Sequence, residues 1–266
     1  MLNTDFLLYL MTGAFTGLLS GLLGVGGGAV IVPILVIIFT ALHFPDAYIM
    51  HIALGTSLAT IIFTSISSAR AHQRKNNVDW QVVRRVALGI VIGTLAGSML
   101  AAKLHSFWLQ AIFAVFILFV ATQMMLNFTP NAKRPSPTGK ELSLVGGFIG
   151  VISSLVGIGG GSVTVPYLIY CNFNPRLAIG SSAAVGIPIA ITGTIGYIYT
   201  GLSITDLPKY SLGFIYLPAL LGITLASMLT APLGAALTQK LATGTLKKLF
   251  AMVLYIVGFK MLWNLL

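Results

Sequence analysis

Four stretches of the chain, residues 52–68, 86–102, 107–126 and 177–199, run without a single charged side chain. About 20 apolar residues of helix cross the hydrocarbon of a bilayer. A soluble domain is about 25% charged, whereas this 266-residue chain is 8% charged and 57% hydrophobic. So little charge cannot keep a surface of this size in water. The fold class that follows is an all-α integral membrane protein. Residues 1–5 lack the basic start of a cleaved signal peptide, so residues 6–23 are expected to stay as the first membrane segment.

The second constraint is an internal repeat. Gly24-Val25-Gly26-Gly27-Gly28-Ala29-Val30-Ile31-Val32-Pro33 returns as Gly157-Ile158-Gly159-Gly160-Gly161-Ser162-Val163-Thr164-Val165-Pro166. Ala53-Leu54-Gly55-Thr56-Ser57 returns as Ala178-Ile179-Gly180-Ser181-Ser182, and Ala96-Gly97-Ser98-Met99-Leu100 as Leu225-Ala226-Ser227-Met228-Leu229. Three matches in one order divide the chain into a first membrane repeat, 1–128, a cytoplasmic linker, 129–141, and a second membrane repeat, 142–266. Each repeat reads as about five helical segments. The segment after the second glycine run, 162–171, reaches only about 15 Å as a helix, half the hydrocarbon thickness. The segment before it, 142–156, is also short. The pair is expected to be a re-entrant hairpin with its glycine turn inside the membrane, where irregular backbone is tolerated only in a cavity or within protein.

Basic residues in a membrane protein report topology before they report nucleic acid, so the net charge of +10 implies no nucleic-acid partner. Arg70, Arg74, Lys75, Arg84 and Arg85 place their loop in the cytoplasm. Counting segments from there puts Lys133, Arg134, Lys140, Arg176, Lys240, Lys247 and Lys248 on the same side, and Asp5, Asp46 and Asp206 outside. Both termini become extracytoplasmic. Matched loops of the two repeats fall on opposite faces, which makes them inverted-topology repeats, an architecture used by alternating-access transporters.

Gly24-Val25-Gly26-Gly27-Gly28-Ala29 also matches the dinucleotide pattern, but that chemistry needs a strand before it and an acidic residue beyond it. The second copy has no acidic partner and the flanks are membrane helices, so no cofactor is expected. Packing explains single glycines such as Gly93 and Gly97. Three glycines in a row, twice, each opening a short apolar segment, instead leave N–H groups bare at a helix start, where the helix dipole favours an anion. Gly26, Gly27, Gly28, Gly159, Gly160, Gly161 and Ser162 are therefore candidate substrate-binding residues. The hydroxyls Thr56, Ser57, Ser181 and Ser182 join them as donors to anion oxygens; the alternative is that each bonds back to its own helix. One turn earlier, at matched positions, stand His51 and Arg176, the candidate gate residues, with an interfacial anchor as the plainer role.

What the chain lacks also matters. No Asp or Glu lies in an apolar segment, which disfavours a cation carrier. Neither a metal motif nor a nucleophile with a base is visible, so no enzyme, no catalytic residue and no metal site is expected. Cys171 is the single cysteine, read as a small packed residue.

The doubled G-x-G-G-G motif, Gly55-Thr56-Ser57 with Gly180-Ser181-Ser182, and Asn77-Val78-Asp79-Trp80 together resemble the sulfite exporter TauE/SafE family of bacterial inner-membrane permeases, over nearly the whole chain. The resemblance implies a permease for small sulfur-containing anions such as sulfite, sulfoacetate and other organosulfonates, with a substrate region at the glycine turns and the hydroxyl pairs. The alternative class is a non-transporting membrane subunit or receptor, which would need no pair of inverted glycine turns.

Overall fold

The computed structural model describes residues 2–23, 27–126, 137–237 and 243–265. Gly24, Val25 and Gly26 lie outside the described residues, as do Lys133, Arg134 and Lys240. The described residues form ten helices and one short hairpin. In chain order they are α1 (Leu2–Leu23), α2 (Gly28–Ala41), α3 (Ile49–Gln73), α4 (Trp80–Lys103), α5 (Ser106–Met125), α6 (Gly139–Val156), α7 (Gly161–Tyr170) and α8 (Pro175–Gly201). The hairpin of β1 (Ser211–Leu212) and β2 (Ile215–Tyr216) follows, then α9 (Leu217–Leu237) and α10 (Thr243–Trp263). The expected five segments per half are present. By length and composition α3, α4, α5, α6 and α8 can each cross a membrane.

Local chemistry sets the helix ends. Asp79 caps α4, its carboxylate accepting from the N–H groups of Gln81 and Val82 at 2.9 and 3.1 Å, a favoured N-cap geometry. Asn174 caps α8 the same way through Arg176 N–H, with Pro175 in the first turn. Thr138 accepts from Glu141 N–H, so the sequence Thr138-Gly139-Lys140-Glu141 reads as a capping box. As a result α6 begins at Gly139, three residues inside the stretch expected to be linker. At its other end, left-handed Gly157 (φ 68°) stops the helix, and the N–H groups of Gly157 and Ile158 both return to the Ser153 carbonyl. The short α7 of 10 residues follows at once.

Glycine fixes which helices touch. Along α4, a Cβ on Gly89, Gly93 or Gly97 would overlap Ser143, Gly147 and Ser154 of α6 in turn. Both residue series rise together, so α4 and α6 run parallel with their backbones in contact, the close approach that small residues permit between membrane helices. α1 and α9 repeat the arrangement, with Gly13 against Ile223 and Gly17 against Ser227. α3 and α8 run antiparallel: Gly55 meets Tyr197, Leu58 meets Gly193, and Ser65 meets Gly186. α5 and α10 are antiparallel too, joined by Gln110 Nε2 donating to the Met261 carbonyl at 2.9 Å and by a 2.8 Å bond between the Thr122 and Tyr255 hydroxyls.

Polarity is distributed as a bilayer requires. Leu88, Ile92, Val115, Phe119, Leu144, Phe148, Leu229 and Ile256 are all exposed, while Thr56, Ser57, Thr60, Thr94 and Ser98 are fully buried. An apolar belt this extensive marks a membrane-contacting surface. Several interior hydroxyls are satisfied within their own helix, Thr60 through the Ser57 carbonyl and Ser98 through the Leu95 carbonyl, as expected of Ser and Thr in helices.

Candidate functional site where two glycine turns meet

The first described residues of α2 reach the turn between α6 and α7. A Cβ on Gly28 would lie 2.6 Å from the Gly157 carbonyl oxygen and 3.1 Å from Ile158 Cα. The two glycine runs therefore touch through bare backbone. Ile61 of α3 packs into the same junction, with its Cδ1 3.0 Å from that Gly28 position and its Cγ2 3.2 Å from the equivalent position on Gly159. Leu54 and Val32 close around Gly157, and Ile189 of α8 lies over Gly160. These apolar neighbours were not singled out from the sequence, because nothing separates them there from any other aliphatic residue.

The turn is built to expose donors. Gly157 and Gly160 hold φ of 68° and 73°, a region that costs other L-residues about 1–2 kcal/mol. Gly160 is the N-cap of α7 and has no side chain to satisfy the N–H groups after it. No described backbone or side-chain oxygen accepts from the N–H groups of Gly159, Gly160, Gly161 or Ser162. The Ser162 and Thr164 hydroxyls in the first turn of α7 are buried and have no described partner. Unpaired buried donors are costly, and here they gather at the positive end of a helix dipole.

The hydroxyl pairs divide into two roles. Ser57 faces the junction and donates to the Gly157 carbonyl at 2.9 Å. Ser182, at the matching position, is buried and makes no described side-chain hydrogen bond. Thr56 and Ser181 turn the other way. The Thr56 oxygen accepts from Tyr216 N–H at 3.0 Å, and the Ser181 oxygen accepts from Asp79 N–H at 2.9 Å. Each fastens the residue just ahead of a helix, α9 in one case and α4 in the other. Neighbouring residues of a helix point about 100° apart, which is why Ser57 reaches the Gly157 turn while Thr56 reaches a loop.

His51 and Arg176 are not brought together. His51 is buried; its Nε2–H donates to the Ala101 carbonyl at 3.0 Å, and its ring lies 5.0 Å from Phe214 and 6.0 Å from Tyr48. Arg176 is exposed at the start of α8. Among the described residues there is no group of three His, Cys, Asp or Glu side chains placed to hold a metal.

Comparison with known proteins places this architecture. The family model described as "Sulfite exporter TauE/SafE" matches residues 9–261. The chain belongs to the sulfite exporter TauE/SafE family. A relative from Haemophilus influenzae, named "Probable membrane transporter protein", is 43% identical over 97% of this chain and 98% of its own length. Relatives with the same kind of name from Methanocaldococcus jannaschii and Bacillus subtilis are 28% and 26% identical, each over 98% of both chains. No solved structure matches. The TauE/SafE chain is thus a multi-pass membrane transporter with a small-molecule substrate, and not an enzyme.

Proposed function

We propose that this transporter moves a small anion, a sulfur-containing oxoanion or organosulfonate such as sulfite or sulfoacetate, by alternating access in a bacterial inner membrane. The observation that carries the reading is the meeting of Gly28 with Gly157 and Ile158 at the start of α7, where four N–H groups and the Ser162 hydroxyl have no described partner. Such a helix start binds oxyanions without a buried cation. A free Lys or Arg at that depth would cost about 2.5–3.5 kcal/mol on insertion scales. Gly27, Gly28, Gly159, Gly160, Gly161, Ser57, Ser162 and Ser182 form the proposed site, with Gly26 adjoining it in sequence. The family's description supports the sulfur chemistry.

The two halves, 1–128 and 142–266, are read as inverted-topology repeats. In support, the matched helices α3 and α8 are antiparallel, as are α5 and α10, and the contact of α4 with α6 answers that of α9 with α1. A pseudo-two-fold axis in the membrane plane has these consequences. Charge then sets the orientation, with both termini extracytoplasmic and the loop holding Arg74 and Lys75 inside.

The test of function is flux. Purified protein in proteoliposomes should accelerate entry of sulfite or sulfoacetate over protein-free vesicles, and a panel including thiosulfate and simple carboxylates ranks the substrates. Flux of carboxylates alone would remove the sulfur assignment, and flux of none of these anions would remove the anion reading. Orientation is tested separately. In a Cys171→Ser background, a membrane-impermeant maleimide applied from outside should label Asp206→Cys and spare Arg74→Cys; the opposite pattern would invert the topology.

A further inference from the structure

We infer that Thr56 and Ser181 are a matched pair of latches, one toward each membrane face, and that which latch is released decides the face to which the glycine junction opens. The inference rests on the alternating-access reading above.

The two sites are built alike. At the first, a Cβ on Gly55 would lie 2.6 Å from the Phe214 carbonyl oxygen, and Thr56 Oγ1 accepts from Tyr216 N–H. At the second, a Cβ on Gly180 would overlap the Asn77 carbonyl oxygen, and Ser181 Oγ accepts from Asp79 N–H. In both, a glycine admits a loop carbonyl and the next residue's hydroxyl holds the N–H two residues along that loop. Each loop then enters a helix, α9 or α4, which packs parallel on α1 or α6 respectively. The bonds therefore join the antiparallel α3–α8 pair to the α1–α9 unit on one side and to the α4–α6 unit on the other. Two unrelated loops would have no structural reason to be held by the same device at repeat-matched positions.

Their placement supplies the mechanism. Ser65 packs on Gly186 and Gly55 on Tyr197, so Ser181 lies level with about residue 70 of α3. At about 1.5 Å per residue, the two latches are about 20 Å apart along the pair. Ile61, which touches both glycine turns, lies between them. Both bonds are made in this structure, and Ile61 at the junction is fully buried. Alternating access requires that one end open while the other stays shut. A single hydrogen bond worth about two- to tenfold in an equilibrium is strong enough to bias such a choice and weak enough to break in each cycle.

The experiment uses the full chain with Cys171→Ser and one reporter, Ile61→Cys, in right-side-out and inside-out vesicles. The rate of reaction with an impermeant maleimide is measured from each face. Thr56→Val should raise labelling from the face where α3 begins by about two- to tenfold relative to the other face. Ser181→Ala should shift the ratio the opposite way. Thr56→Ser and Ser181→Thr keep the acceptor and should match the parent. Hydrogen exchange gives a second reading independent of the reporter: Thr56→Val should speed exchange at Tyr216 and not at Asp79, and Ser181→Ala the reverse. If both variants favour the same face, or neither moves the ratio although its loop amide has been freed, the latch inference fails while alternating access stands. If the parent carries no sulfite or sulfoacetate and its reporter reacts identically from one face under all conditions, both readings fail together.

Discussion

Gly160→Asp should abolish binding and transport of the anion, while Gly160→Asn should keep a measurable fraction of both. The pair isolates charge. Gly160 sits at φ 73°, a conformation that Asn and Asp tolerate better than other residues with a side chain. Alanine would be the weaker control, since it adds the strain of a left-handed backbone without any group able to relieve it. The atom nearest to an added Cβ is Ile189 Cδ1 at 2.5 Å. That is the free end of a side chain, which can move aside for either variant at similar cost. What remains is the carboxylate. It would stand at the N-cap of α7, where the unpaired N–H groups and the dipole stabilise negative charge, so the protein folds and its own side chain occupies the anion's field. A substrate charge about 4 Å away would meet repulsion of about 4 kcal/mol at an effective dielectric near 20, close to a thousandfold in affinity. Purified yield and a detergent unfolding midpoint establish that both variants fold; binding of sulfite by calorimetry and flux in proteoliposomes then read the effect. Normal transport by a well-folded Gly160→Asp protein would show that the substrate does not use this turn.

The parts of this fold that could be read from sequence are those governed by composition and local spacing. Uncharged runs mark the long helices, and the ten residues 162–171 mark a segment too short to cross, which the structure forms as α7 one residue earlier, Gly161–Tyr170. Positions that depend on what lies across the helix could not be read in that way. Thr56 and Ser57 are adjacent, chemically alike and both fully buried, and α3 is buried on most of its sides, so no amphipathic stripe shows which hydroxyl faces the turns. The partner of Thr56 is a backbone N–H at Tyr216, distant in sequence, in a hairpin whose strands of two residues each are too short to leave a period-two signal. The start of α6 was legible in principle through Thr138 and Glu141, but the Pro and Lys/Arg residues before them carried the stronger loop signal. The matched positions of His51 and Arg176 gave no indication that one would be buried against Phe214 and the other exposed, because a match in sequence leaves each side chain to its own surroundings.

Gly93→Ala should be among the most destabilising single changes in the molecule, and Gly147→Ala among the mildest, although the two glycines face each other across α4 and α6. A Cβ on Gly93 would overlap the Gly147 carbonyl, whose backbone cannot yield without moving the whole of α6. A Cβ on Gly147 meets only the Gly89 carbonyl oxygen at 3.7 Å, an ordinary van der Waals contact. The difference arises from how Cβ atoms tilt on parallel helices: Gly93 aims its absent side chain into the neighbour, and Gly147 presents its backbone there. Overpacking in a close-packed core costs about 1–3 kcal/mol, and the upper end applies where backbone must give way, whereas Gly147→Ala should stay within about 0.5 kcal/mol. Unfolding midpoints in detergent and monodispersity on size exclusion compare the two directly. The repeat supplies an internal replicate: Gly13, whose Cβ would overlap the Ile223 carbonyl between α1 and α9, should behave as Gly93 does. Equal midpoints for Gly93→Ala and Gly147→Ala would mean that α4 and α6 do not pack in this register. A severe Gly93→Ala with a harmless Gly13→Ala would mean that the α1–α9 unit is looser than its counterpart, so that the two halves, alike in contact, differ in rigidity.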